Sequence, residues 1–220
     1  MSEIKDLIVI GGGEHARVVI EAAQSRPDLW RVRGFTDPKP CEETSLRMGI
    51  PHIGGDDGYS PDRFSSWYVL GVGGIGVSAV RHNLIHRYAE AGARWATVVH
   101  SHAMVSKNAG IGAGTVILAG AVVNSGATIA EHCVINSGAI IEHDVTIGSY
   151  TQVGPGAAIG GGARVGAGSY LGLGCRIRDH VCIGNRVLVG MGAVVVASVE
   201  DEVAVVGVPA RQISTERASV

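Results

Sequence analysis

The sequence predicts two domains of different construction: a small parallel α/β sheet over residues 1–104, then a parallel β-helix of about five coils over residues 105–220. Three observations carry this. Strand-like and helix-like segments alternate through the first hundred residues, as a parallel sheet with crossover helices requires. From Ile111 onward a six-residue period runs without a break for fifteen steps. The 33 glycines of the 220-residue chain crowd into that second part, 19 of them between residues 110 and 199, where aromatic residues nearly vanish.

The N-terminal elements follow in order. Leu7 to Ile10 reads as a short buried strand, and Glu14 to Ser25 places Val18, Val19, Ala22 and Ala23 at helical spacing. Arg31 to Phe35 and Trp67 to Val72 read as the second and third strands. Ser78 to Ala91 forms a second helix with Val80, Leu84, Ile85 and Tyr88 on one face. Trp95 to Val99 is a last strand leading into the repeat.

In the repeat, every sixth residue from Ile111 to Val195 is aliphatic, and the residue four places later is small or β-branched, from Thr115 to Val199. One large and one small inward residue, closed by a glycine-rich bend, make one side of a triangular prism. Three sides make an 18-residue coil. Aliphatic side chains then stack along the interior and leave no space for aromatic rings. The open ends need covering, one by the α/β domain and the other by residues 200–220.

Composition removes several classes of function. With 46% apolar and 17% charged residues and a net charge of −2, the chain is neither disordered nor suited to nucleic acid. The first residues show no signal-peptide pattern, and no apolar stretch approaches the roughly 20 residues of a membrane span. The expectation is a cytoplasmic protein with no membrane contact. Cys41, Cys133, Cys175 and Cys182 lack CxxC spacing, so neither a zinc site nor a disulfide framework is expected. His82 and His86 stand four apart on a helix but have no third ligand, so no metal is expected.

At this point the sequence resembles a known family. The six-residue pattern is similar to the left-handed parallel β-helix of the hexapeptide-repeat acyltransferases. Gly-Gly-Gly-Glu-His-Ala at 11–16, Ile-Glu-His-Asp at 141–144 and Val-Gly-Val-Pro-Ala-Arg at 206–211 narrow the likeness. Together they resemble the bacterial nucleotide-aminosugar N-acetyltransferases of the bacillosamine and perosamine type, over nearly the whole chain. The resemblance implies a homotrimer with acetyl-CoA as cosubstrate and active sites between subunits. It implies acetylation of the C4 amine of a nucleotide-linked 4-amino-4,6-dideoxyhexose, for surface polysaccharide or glycan biosynthesis. GDP-perosamine is the favoured acceptor, and a UDP-linked 4-amino sugar is next.

Acetyl transfer to an amine needs a proton acceptor and a donor for the developing oxyanion. His143 lies outside both inward positions of its repeat, so the prism does not need it; it is a general base or an exposed histidine at a bend. Asp144 is adjacent, and neighbouring strand residues point to opposite faces, so it orients His143 only if the chain turns there. A His–acidic pair sits at this place in the related enzymes. By the same resemblance Asn136 lies near the acceptor sugar; alternatively it is an asparagine tolerating a left-handed bend. Gly161 points a backbone N–H at the thioester carbonyl, or is a bend glycine. Gln152, nine residues after His143, stands where the bacillosamine branch has a second histidine, and it is left out of the catalytic set. Gly172, Gly174 and Gly190 leave space for pantetheine. Gly207, Pro209, Ala210 and Arg211 form the loop for the CoA phosphates, with Arg211 as a phosphate partner. His132 and His180 fall at outward positions of the repeat.

In the first domain, Gly11, Gly13 and Ala16 follow a strand and open a helix, a Rossmann-like phosphate turn. Asp37 ends the second strand, where a ribose-binding carboxylate belongs. A domain of about 100 residues is half a doubly wound fold and suits a mononucleotide carrier. The resemblance adds nucleotide-sugar contacts at Gly13, Glu14, His15 and Asp37. Gly74 approaches the same nucleotide, and Arg81 is a diphosphate partner or a surface arginine. Two other readings remain at this level: a sugar O-acetyltransferase of the sialic-acid type, and a non-catalytic β-helix scaffold with a nucleotide-sensing domain.

Overall fold

A computed structural model describes residues 3–55, 66–74 and 79–213, which form two compact units that succeed one another at Ser101–His102. The first unit holds β1 (Lys5–Ile10), α1 (Glu14–Gln24), β2 (Trp30–Thr36), α2 (Glu42–Met48), β3 (Trp67–Leu70), α3 (Ala79–Glu90) and β4 (Arg94–Trp95). The sheet order is β2-β1-β3-β4, with every pair parallel. The chain reverses its direction of travel across the sheet between β1 and β3. That switch opens a crevice at the carboxyl ends of the strands.

The expected elements are present, with adjusted ends. β3 stops at Leu70, where Gly71 N still donates to Ile10 O at 2.7 Å, and the expected extension to Val72 is not strand. The last strand divides into Arg94–Trp95 and Val98–Val99. The helix start expected at Ser78 lies outside the described residues. α2 was not expected: it has seven residues and buries only Thr44, too little for a helical period to show. Its work is local, since Thr44 Oγ1 donates to the Gly12 carbonyl at 2.6 Å and braces the glycine turn. Leu7 to Ile10, Val19, Ile20, Phe35, Tyr68, Leu70 and Tyr88 make the core of this unit.

The second unit is a parallel β-helix of two-residue strands, each paired with the strand 18 residues on. One face carries the strands starting at Val116, Val134, Gln152, Tyr170, Leu188 and Ala204. The next carries those at Met104, Val122, Ile140, Ala158, Arg176 and Val194, and the third those at Gly110, Thr128, Thr146, Arg164 and Cys182. The helix makes about six turns rather than about five, because Val99 and Val105 already keep the phase of the repeat. Inward aliphatics from Ile117 to Val195 are at most 3% exposed. A short antiparallel hairpin, Ala204–Val206 with Arg211–Ile213, ends the first face; the rest of the expected cap, residues 214–220, lies outside the described residues.

Two features repeat at the corners. From Ile111 to Val189, the third residue after each inward aliphatic takes a left-handed backbone, usually as glycine: Gly126, Gly138, Gly156, Gly162 and Gly174 have φ between 62° and 76°. Five residues of other types occupy that same place, His132, Asp144, Tyr150, His180 and Arg186. His132, expected at an outward position, is in fact buried, and its ring stacks on Tyr150 one coil on, at 5.6 Å and 6°. The corner between the third and first faces is held by inward hydroxyls. Thr115, Thr151 and Ser169 donate to the carbonyls of Ala130, Gly166 and Gly184, at 2.7 to 2.9 Å. The same oxygens accept from the amides of Cys133, Ser169 and Val187 one coil on.

Candidate active site

His143 and Asp144 form the corner between the second and third faces. Asp144 has φ +59°, so the chain does turn there, and its Oδ2 lies 3.0 Å from His143 Nδ1. The carboxylate therefore fixes one ring nitrogen and directs Nε2 toward Gly161 on the next coil. Hydrogen bonding to Asp144 holds the imidazole above the usual histidine range, and the charges of Asp144 and Glu142 act in the same direction. Glu142 itself turns to Asn124, whose Nδ2 donates at 3.0 Å.

Gly161 sits one coil beyond His143. A Cβ there would lie 2.5 Å from His143 Nε2, so this position is glycine because the ring occupies the space. Its amide donates to no acceptor among the described residues. A free N–H thus stands beside an exposed imidazole nitrogen, the pair of groups that acyl transfer to an amine uses.

The other β-helix positions group at a different corner. Asn136, Gly172, Gly174 and Gly190 all stand where the first face meets the second. Asn136 is not left-handed; its Oδ1 accepts from Ser137 N at 2.9 Å, and the bend explanation for this asparagine falls away. Gly172 and Gly190 are glycines for coil stacking, since a Cβ would meet Met191 N at 2.6 Å and Val206 Cγ1 at 2.7 Å. Gly174 is a left-handed bend residue with open space beside it. At the C-terminal end, Gly207 has φ +93°, and Ala210 N binds Val194 O at 2.8 Å. Pro209 and Arg211 are exposed beside them. Ala210 and Arg211 line a cavity of about 210 Å³ with Ala197 and Ser198. Within one chain, Asn136 and His143 occupy different corners of the same coil.

In the first unit, five of the expected residues gather at the carboxyl ends of β1, β2 and β3. Gly12 N donates to Asp37 Oδ2 at 2.9 Å and Lys39 N to Oδ1 at 3.0 Å, which fixes the carboxylate beside the glycine turn. Gly13 begins α1 with no neighbour within 4 Å of where a Cβ would stand. Glu14 is exposed in the first turn. His15 packs on Gly73, where a Cβ would approach its own Cβ to 2.9 Å, and Gly74 follows with φ +149°. His15 Nε2 is buried and has no hydrogen-bond partner among the described residues. Burial, and after it the charge of Arg81, push its pKa down to about 4, so the ring is neutral at pH 7. Arg81 is not a surface arginine: it is 5% exposed, and its Nη1 donates to the Val72 carbonyl. A buried cation and an unmatched imidazole nitrogen at a glycine turn fit an anionic ligand.

Comparison with known proteins agrees with both units. Residues 6–88 match the PglD N-terminal domain, and residues 126–161 and 138–173 match the bacterial transferase hexapeptide (six repeats). No curated protein sequence matches the chain. Among solved structures it resembles the acetyltransferase domain of PglB from Neisseria gonorrhoeae in complex with acetyl coenzyme A, with 29% identity and a TM-score of 0.85. The match covers 96% of this chain and 100% of that one. PerB from Caulobacter crescentus, in complex with CoA and GDP-perosamine, matches at 30% identity and a TM-score of 0.81, covering 96% of this chain and 99% of that one. WeeI from Acinetobacter baumannii matches at 25% identity and a TM-score of 0.78, over 94% and 99% of the two chains. Among the described residues there is no cluster of metal-ligating side chains and no helix long and apolar enough to cross a membrane. These likenesses set aside the non-catalytic scaffold. The chain belongs to the hexapeptide-repeat sugar N-acetyltransferases that carry a PglD-type N-terminal domain, enzymes that take their acetyl group from acetyl-CoA.

Proposed function

We propose that this enzyme acetylates the C4 amine of a nucleotide-linked 4-amino-4,6-dideoxyhexose, with GDP-perosamine as the first candidate and a UDP-linked 4-amino sugar next. The observation that carries the reading is the His143–Asp144 pair with the unoccupied amide of Gly161 beside it. Acetyl-CoA supplies a thioester carbonyl. As the acceptor nitrogen bonds to that carbon and the carbon–sulfur bond breaks, His143 Nε2 takes the amine proton and Asp144 stabilises the imidazolium. The Gly161 N–H donates to the carbonyl oxygen as charge develops on it. The likeness to PerB, whose structure holds CoA and GDP-perosamine, favours the guanosine sugar.

Asp37, Gly13, His15 and Arg81 are the groups assigned to the nucleotide, with Glu14 and Gly74 at the rim of the crevice. Asn136 is assigned to the sugar. Gly172, Gly174, Gly190 and the loop of Gly207, Pro209, Ala210 and Arg211 are assigned to CoA. Because Asn136 and His143 stand at different corners, the reading places the site between subunits of a cytoplasmic homotrimer.

The test is thiol release from acetyl-CoA with a panel of GDP- and UDP-linked 4-amino sugars. Transfer to GDP-perosamine is expected to exceed the UDP sugars in kcat/KM. His143→Ala is expected to lower kcat about a hundredfold without abolishing turnover, since an amine loses its own proton in part. Wild-type turnover in that variant would remove His143 from the base role.

A further inference from the structure

The corner that bears His143 continues past it toward the C-terminus. Ser125 and Gly126 are succeeded by His143 and Asp144, then Gly161 and Gly162, then Asp179 and His180, then Ala197 and Ser198. Successive coils are spaced like paired strands, about 4.8 Å apart. His180 therefore stands one coil beyond the free amide of Gly161 and one coil before the cavity shared by Ser198 and Arg211.

His180 holds this position against the local rule. Its φ is +58° at the place where glycine recurs, and it is exposed, so core packing does not explain it. Its ring packs on the preceding coil: a Cβ at Gly162 would fall 2.5 Å from His180 Nδ1. Its own amide donates to Gly161 O at 3.0 Å, which ties its backbone to the glycine beside His143. Of the three exposed side chains in this left-handed place, Asp144 holds His143 and Arg186 holds Glu202, which leaves His180 as the one open to a ligand among the described residues.

We infer that His180 is a positioning residue for acetyl-CoA, hydrogen-bonding a pantetheine amide as the arm runs from the thioester toward the Arg211 loop. The inference rests on the acetyl-CoA placement proposed above, with Gly161 at the thioester and the C-terminal loop at the phosphates. An extended arm between those points follows the corner and passes His180. Imidazole offers both a donor and an acceptor, and pantetheine carries two amides, each with one donor and one acceptor.

The experiment compares wild type with His180→Ala and His180→Asn. Ala is expected to raise KM for acetyl-CoA about three- to tenfold, the effect of one hydrogen bond, with kcat within about twofold. KM for the sugar nucleotide stays unchanged. Asn, which tolerates the left-handed backbone and keeps donor and acceptor groups, is expected to restore most of the loss. The same factor is expected with acetyl-pantetheine, which lacks the nucleotide end of the cofactor. Unchanged KM in the Ala variant, or a loss that disappears with acetyl-pantetheine, overturns the inference. Calorimetric binding of CoA to the same variants needs no acceptor, so failure of the sugar assignment is read separately. His180→Gly, which suits the bend, replaces the Ala variant if that one folds poorly.

Discussion

Asp144 occupies a backbone conformation that most residues avoid, and the chemistry of the site depends on it. In an extended strand the side chains of 143 and 144 would point apart; with φ at +59° they meet at 3.0 Å. Aspartate is among the few residue types that enter this region at modest cost. The contact stabilises the protonated ring, so His143 keeps its proton to a higher pH than an ordinary histidine. A base must be neutral to act. In the wild type kcat/KM is therefore expected to rise with pH and reach half its plateau above the usual histidine value of about 6.5. Asp144→Asn removes the charge that favours imidazolium, so the midpoint moves to lower pH. It also loosens the ring, so plateau kcat falls about tenfold. A pH–rate profile on one acceptor sugar checks both shifts; an unmoved midpoint would show that Asp144 does not set the basicity of His143.

The repeat shows its stability at the level of the coil. Each turn contributes one inward aliphatic per face, and in three turns the third corner adds a hydroxyl that joins two coils. Thr151 Oγ1 donates to Gly166 O and accepts from Ser169 N, and it is fully buried. Thr151→Val keeps the shape but leaves a buried carbonyl and a buried amide unmatched. The expected cost is about 2 kcal/mol, read as a lower denaturation midpoint, with acetyl transfer per folded molecule unchanged. This ladder was half legible in the sequence. The period exposed the inward positions because one residue in six must be aliphatic, whereas a hydroxyl at Thr115, Thr151 or Ser169 counted only as small. The left-handed corner was legible too, in the recurrence of glycine, and it marks His132, Asp144, Tyr150, His180 and Arg186 as exceptions. What the sequence hid was contact across 18 residues, such as His143 on Gly161, and the burial of Arg81. It also hid α2, whose seven residues are too few to show a period.

The proposed assembly rests on how the β-helix distributes its groups. The proposed base and amide donor stand at one corner, and Asn136, Gly172, Gly174 and Gly190 at another, so the proposed site joins the corners of two chains. The face between those corners is apolar on its outside. Met104 is 50% exposed and Ile140 38%, Val122, Ala158 and Val194 continue the row, and Arg176 near its C-terminal end is its one charged residue, whereas the next face presents Thr128, Thr146 and Arg164. A second copy packed on the apolar row would carry its own corner toward His143, three residues from Ile140. Ile140 points outward, so a charge there leaves the prism interior untouched but would be stranded in such an interface without a partner. Ile140→Asp is expected to run as a monomer by light scattering at micromolar concentration and to keep its circular dichroism spectrum. It is also expected to lose transfer activity at least about a hundredfold, because the reactants are no longer held together. A monomer that retains full activity would show that one chain holds the whole site, and the between-subunit arrangement would have to be abandoned.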